Sequence, residues 1–191
     1  EPARARDRRG DEIAARFFER FGGRAAPKVF WAPGRVNLIG DHIDYCGGAV
    51  LPMPIQFGTT VAVRVNDGGR MRGASLNVAE VIDVACTDPA PLPIGSWGRF
   101  LSGAIAVLAD GGIEIPGVDV MVCGAIPGSG LSSSASLSVA LLHALTSLVE
   151  RPIAPLPLAL AAQRIEHEHV GVQCGLMDQA VIALAEPGCA L

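Results

Sequence analysis

Residues 34–45, Gly-Arg-Val-Asn-Leu-Ile-Gly-Asp-His-Ile-Asp-Tyr, place an arginine, two carboxylates, a histidine, an amide and a phenol between apolar, strand-like stretches. Ionisable groups at that density are costly to bury unless they pair with one another or with a ligand. The run therefore reads as a ligand-facing loop, with Arg35, Asp41, His42 and Asp44 as its candidate groups. A second polar run, residues 127–136, reads Pro-Gly-Ser-Gly-Leu-Ser-Ser-Ser-Ala-Ser between an apolar strand pattern at 118–123 and a helical pattern at 137–145. Gly128 and Gly130 can adopt backbone angles closed to other residues, so that amides converge on an anion. Ser132, Ser133 and Ser134 supply hydroxyls and a helix N-cap. A phosphate would sit at the positive end of the helix dipole, although a plain serine-rich cap would have the same composition. No lysine is present, which excludes a Walker loop, and neither GxGxxG nor GxSxG fits.

A third cluster, Glu166-His167-Glu168-His169, follows an Ala- and Leu-rich helical stretch over residues 156–165. Both glutamates would lie at that helix's C-terminal end, where the dipole disfavours negative charge and something positive, such as a divalent cation, should be near. A solvated polar helix end is the ordinary alternative for each of the four. Zinc is disfavoured because the HExxH spacing is missing. Asp178 follows a glycine-containing turn and reads either as a functional carboxylate or as a helix N-cap. Trp97 and Phe100, three apart at a helix start, fit a ligand-lining pair or ordinary core packing.

The elements that must hold these groups follow from periodicity. Residues 11–21 have helical spacing, with Ile13, Phe17, Phe18 and Phe21 on one face, preceded by an arginine-rich arm over 1–10 expected to be flexible. Short strands are predicted at 29–32, 49–51, 59–65, 70–75 and 80–86, with a Pro-rich bridge at 88–93. A helix at 97–108, the strand at 118–123 and helices beginning near Ser134, Pro155 and Met177 complete the pattern. Strands followed by mixed strand and helix predict an α+β fold of a sheet layered with helices.

Composition narrows the classes. Half of the 191 residues are apolar, enough for a full core in one domain. The net charge of -4 and the lack of a basic stripe argue against nucleic acid as a partner. Five widely spaced cysteines without a CxxC pair read as the reduced thiols of a cytoplasmic protein. No apolar run is long enough to span a membrane, and no secretory leader is recognisable. Lys28 is the only lysine, so phosphate chemistry here would depend on arginine, amides and a metal.

The three polar runs, in this order, resemble the GHMP family of small-molecule kinases, and its galactokinase branch most closely. Residues 34–45, continuing through 47–52, are similar to the signature of that branch. Residues 127–136 are similar to the family's phosphate-binding loop, and 174–179, Cys-Gly-Leu-Met-Asp-Gln, to the segment with its catalytic aspartate. The resemblance implies the amino-terminal GHMP domain over residues 11–191, a two-layer sheet-and-helix unit like domain 2 of ribosomal protein S5. It implies ATP-dependent phosphorylation of the anomeric hydroxyl of galactose, in a protein expected to be a monomer when full length. Asp178 would accept the hydroxyl proton, while Arg35 stabilises the transferring phosphoryl group. Ser134 and Glu166 would hold Mg2+, and the segment from Gly128 and Ser129 through Gly130, Leu131, Ser132 and Ser133 to Ser134 would hold the ATP phosphates. Asp41, His42, Asp44 and the backbone at Gly175 would meet the sugar, and Trp97 with Phe100 the adenine.

One departure concerns Asp41, where galactokinases usually carry glutamate. The shorter side chain loses about 1.5 Å of reach, which admits a related sugar such as L-arabinose or N-acetylgalactosamine. A non-catalytic sugar- and ATP-binding module is a further alternative. The family would continue into a second domain that contributes a sugar-contacting tyrosine, so this chain is expected to be the amino-terminal part of the enzyme. Tyr45 is its single tyrosine.

Overall fold

The computed structural model describes residues 2–40, 42–126 and 130–191, and of residues 2–9 the backbone only. The strands β1 (Lys28–Asn37), β2 (Pro52–Val65), β3 (Arg70–Ser75), β4 (Ile82–Ala85) and β5 (Val118–Gly124) form one sheet in the order β1-β2-β5-β3-β4. The β3–β5 pair is parallel and the other pairs are antiparallel. Helices α2 (Gly98–Asp110), α3 (Ser133–Leu148), α4 (Pro155–Arg164) and α5 (Met177–Leu184) build the core with the sheet. Strand alternation sets the faces. Val61, Val63, Met71, Val118, Val120 and Val122 join Leu101, Ile105, Leu141, Leu142 and Leu145 in that core. The intervening Ala62, Ala74 and Met121 meet Ile13 and Phe17 of α1 (Pro2–Phe21). The expected layering of sheet and helices is present, and α1 adds cover on the second face.

The same alternation turns Asp119 away from the main core, where it is fully buried and accepts hydrogen bonds from Arg64, Asn66 and Arg72. A carboxylate inside a valine-rich strand is tolerable because three donors surround it. Arg64 also lies over the Phe17 ring, with its guanidinium carbon 4.9 Å from the centroid.

Several boundaries differ from expectation. The helix starts at Pro2, so residues 2–10 of the arm expected to be flexible over 1–10 have helical backbone; Arg and Ala favour helix, and proline is compatible with its first position. Residues 49–51 form no strand of their own, although Leu51 exchanges backbone hydrogen bonds with Leu38 and Ile39. β2 begins at Pro52 and runs unbroken through Gly58, longer than the strand predicted from 59. β1 likewise continues through Arg35 to Asn37, which puts residues 34–37 of the polar run on a strand. A bulge between Pro33 and Arg35 re-aims the chain there. Ser136 braces it, donating to Ala32 O at 2.9 Å and accepting from the Thr59 amide at 3.0 Å. Ser136 is fully buried, and so belongs to the sheet junction, not to the surface of the polar loop.

Among the described residues no helix is long and apolar enough to cross a membrane. No disulfide links the cysteines among the described residues.

Candidate active site

Arg35 and Asp178, 143 residues apart in sequence, meet as a bidentate pair. The Nε donates to Oδ1 at 2.7 Å and Nη2 to Oδ2 at 2.8 Å. Both side chains are largely buried, at 14% and 22% exposure, so solvent screens the pair only partly. Arg35 also ties into the loop before α3. Its Nη1 donates to Gly130 O at 2.7 Å, and its backbone amide to Leu131 O at 3.2 Å. Gly34 permits that approach, because a Cβ there would lie 2.6 Å from Leu131 O.

Around the pair lies a cavity of about 550 Å³ that also reaches His42, Asp44, Gly130, Cys174 and Gly175. Asp44 opens a short 3-10 turn (Asp44–Cys46) and packs directly on Gly175, where an added Cβ would land on its carboxylate. His42 has a positive φ of 61°, and its Nδ1 lies 3.2 Å from the Tyr45 hydroxyl. Asp41, Gly128 and Ser129 lie outside the described residues.

The segment read as a polar helix end is a π-helical turn, Ile165–Val170, continuing α4. The wider turn gives its four polar residues four different surroundings. Glu166 is buried, at 3% exposure, and accepts from Ser134 Oγ at 2.9 Å and Gln179 Nε2 at 2.7 Å. Burial pushes its pKa up, opposed by those two hydrogen bonds. His167 Nε2 lies 2.8 Å from Cys174 O, and Gln163 Nε2 donates to the same carbonyl, so the turn carrying Gly175 is latched to α4 and its continuation. Glu168 is exposed and pairs with Arg164, which is the positive partner that the helix-end argument required for it. His169 packs against Gly103.

Only Glu166 of the four, then, faces the start of α3. Its carboxylate and the Ser134 hydroxyl are adjacent hard oxygen donors, a set suited to a hard cation that completes its shell with water and phosphate. No group of three His, Cys, Asp or Glu is positioned to cage a metal among the described residues. The amides of the first turn of α3, the turn that carries Ser134, lack intrahelical acceptors. Trp97 and Phe100 pack against the core, with the Trp97 indole N–H donating to Glu80 O. Both stay partly exposed, and neither lines the Arg35–Asp178 cavity.

Sequence reasoning had grouped Ser132 with the phosphate-facing serines, but its hydroxyl donates to Asp178 Oδ2. It also missed Gln179, His167 and Gln163 as supports. Gln179 follows Asp178 directly, which was the one available signal.

The raised Glu166 carboxyl makes a signed prediction. A carboxyl with a raised folded-state pKa costs stability as pH rises above its ordinary value of 4.5, and the cost is full above the raised value. Glu166→Gln should therefore raise the melting temperature of metal-free protein by a few degrees at neutral pH, with the gain fading towards pH 4. Melting curves of the metal-free protein across pH check this; a Glu166→Gln protein less stable than the parent at neutral pH would refute it.

Comparisons with known proteins add to this geometry. A model described as the galactokinase galactose-binding signature matches residues 15–65, and one described as the GHMP kinases N terminal domain matches residues 99–186. The chain is 37% identical over 185 residues to a galactokinase of Exiguobacterium sibiricum, covering 95% of this chain and 47% of that protein. It superposes on the crystal structure of Lactococcus lactis galactokinase complexed with galactose with a TM-score of 0.89 and 34% identity, covering 94% of this chain and 47% of the other. A Methanococcus jannaschii mevalonate kinase, at 19% identity and a TM-score of 0.73, covers 84% of this chain and 52% of that one and shares the fold. The chain spans about half the length of the curated relatives it matches.

Proposed function

Because the chain belongs to the GHMP kinases and corresponds to the amino-terminal part of a galactokinase, we propose that its gene product transfers the γ-phosphoryl group of ATP to the anomeric hydroxyl of galactose. The observation that carries this reading is the Arg35–Asp178 pair, set between the sugar-signature residues and the N-terminus of α3. A loop and helix start offering backbone amides suit an anionic nucleotide, and a cavity rimmed by Asp44, His42 and a backbone turn suits a polyhydroxylated acceptor.

In this mechanism the acceptor oxygen attacks the γ-phosphorus while the bond to the bridging β,γ-oxygen breaks, and ADP leaves with that electron pair. The hydroxyl proton passes to Asp178. Arg35 commits three of its five N–H groups to Asp178 and Gly130, leaving one on Nη1 and one on Nη2 for the equatorial phosphoryl oxygens. It thereby holds the base and neutralises the transferring group with one rigid fork. Ser134 and Glu166 would hold Mg2+, which when bound offsets the phosphate charge. Asp44 and His42 would receive and donate to sugar hydroxyls, and Gly175 keeps Asp44 in place by leaving it room.

The test is coupled ADP release by the complete gene product with Mg2+ and ATP against galactose, N-acetylgalactosamine, L-arabinose, glucose and mevalonate. Turnover confined to galactose supports the proposal. Turnover on L-arabinose or N-acetylgalactosamine instead moves the acceptor while keeping the kinase reading, the outcome that Asp41 motivates. Binding of sugar and ATP with no ADP formed would favour the non-catalytic module.

A further inference from the structure

Ser132 occupies the N-cap position of α3, yet its side chain makes no capping hydrogen bond. Its backbone sits in the left-handed region, with φ 58° and ψ 48°, where a residue bearing a Cβ is disfavoured. An N-cap ordinarily has extended angles, and its oxygen accepts from the helix amides. Here the hydroxyl is turned the other way. Ser132 is 7% exposed, and its Oγ donates to Asp178 Oδ2. Its carbonyl still accepts the Ser136 amide at 2.9 Å, so the helix begins normally while the side chain is diverted. A strained, buried residue whose polar group points at a reacting carboxylate suggests strain retained for function.

Three nearby hydroxyls separate the possible roles. Ser134 donates to Glu166, and Ser136 is buried at the β1–β2 junction. Ser132 alone of the three reaches Asp178. Counting lone pairs on that carboxylate gives a definite consequence. Among the described residues, the Oδ2 atom accepts from Arg35 Nη2 and Ser132 Oγ, which fills it, whereas Oδ1 accepts from Arg35 Nε alone. One acceptor site on Oδ1 is left for a substrate hydroxyl.

We infer that Ser132 is a positioning residue for phosphoryl transfer: by occupying the second site on Oδ2 it fixes the Asp178 carboxylate and designates Oδ1 as the oxygen that receives the acceptor's proton. The inference rests on the kinase reading above. It also makes the loop before α3 part of the acceptor machinery, since Gly130, Leu131 and Ser132 all bond to Arg35 or Asp178.

Ser132→Gly isolates the hydroxyl, because glycine accepts the left-handed conformation without strain and leaves the backbone bonds in place. The experiment compares the parent, Ser132→Gly, Asp178→Asn and the double variant in the complete gene product. It records kcat, KM for sugar and ATP, and melting temperature. Ser132→Gly should lower kcat about tenfold to a hundredfold, with both KM values changed by no more than about twofold. Adding it to Asp178→Asn should lower kcat no further, since Ser132 acts through that carboxylate. Full kcat in Ser132→Gly would overturn the inference by reducing the residue to a backbone role. A raised KM for ATP at unchanged kcat would overturn it in favour of a phosphate ligand. A parent that turns over no sugar defeats the kinase reading, and the melting temperatures then decide the contact itself. Non-additive shifts support the Ser132–Asp178 bond, and additive shifts overturn it.

Discussion

Asp178→Asn should abolish nearly all turnover, lowering kcat by about 10³-fold while leaving the affinity for Mg2+ with ATP close to that of the parent. The substitution removes the carboxylate that, among the described residues, contacts both Arg35 and Ser132 and can take a proton from the acceptor. An amide keeps the shape but presents one oxygen instead of two, and in either orientation its NH2 faces an N–H donor of the Arg35 guanidinium. Some stability is therefore lost as well. In the proposed mechanism the nucleotide would be held by a different set, the first turn of α3 with Ser134 and Glu166, so its affinity should be unaffected. Single-turnover kinetics with titration of ATP binding would measure both. A variant retaining more than about a tenth of parental kcat would remove proton acceptance by Asp178 from the mechanism.

Arg35→Lys should be nearly as damaging, with kcat down about 10²–10³-fold despite the conserved charge. An ammonium cannot span both Asp178 oxygens and reach Gly130 O at once, and it is too compact to leave two aimed donors over the phosphoryl group. Here stability and activity should fall together. Asp178 is largely buried, so losing part of its hydrogen bonding costs about 1–3 kcal/mol. The melting temperature should therefore drop by several degrees, more than in Asp178→Asn, where the remaining arginine can reach solvent or Gly130. An Arg35→Lys protein with parental kcat would show that charge alone suffices and that the bidentate geometry is incidental.

Much of the fold was legible because its signals are local. The alternation of Val118, Val120 and Val122 marks a strand buried on its core face, and Pro155 marks a helix start. The outer boundaries were not. Nothing local says that β1 continues through the glycine and arginine of a polar run, because pairing with residues 52–54 of β2 stabilises that extension. Nor does local composition separate Glu166 from Glu168, two positions apart. One is buried against Ser134 and Gln179, and the other is exposed on Arg164, because a π-helical turn sends them to different environments.

For the site, the sequence by itself determined which chemistry was available. It supplied an arginine and carboxylates in one run, a glycine- and serine-rich helix start in another, an aspartate after a glycine turn in a third, and almost no lysine. Residue types and short spacings suffice for that, since they set charge, donor count and backbone freedom. Partnership was decided only by the tertiary structure. Arg35 and Asp178 are joined across 143 residues, and Ser132 faces Asp178 in place of a phosphate or its own helix. Gly175 is required because Asp44 lies against it. Such contacts depend on how β1, α3 and α5 converge, which is set by burial of the core between sheet and helices, and no spacing within one segment encodes the distance to another.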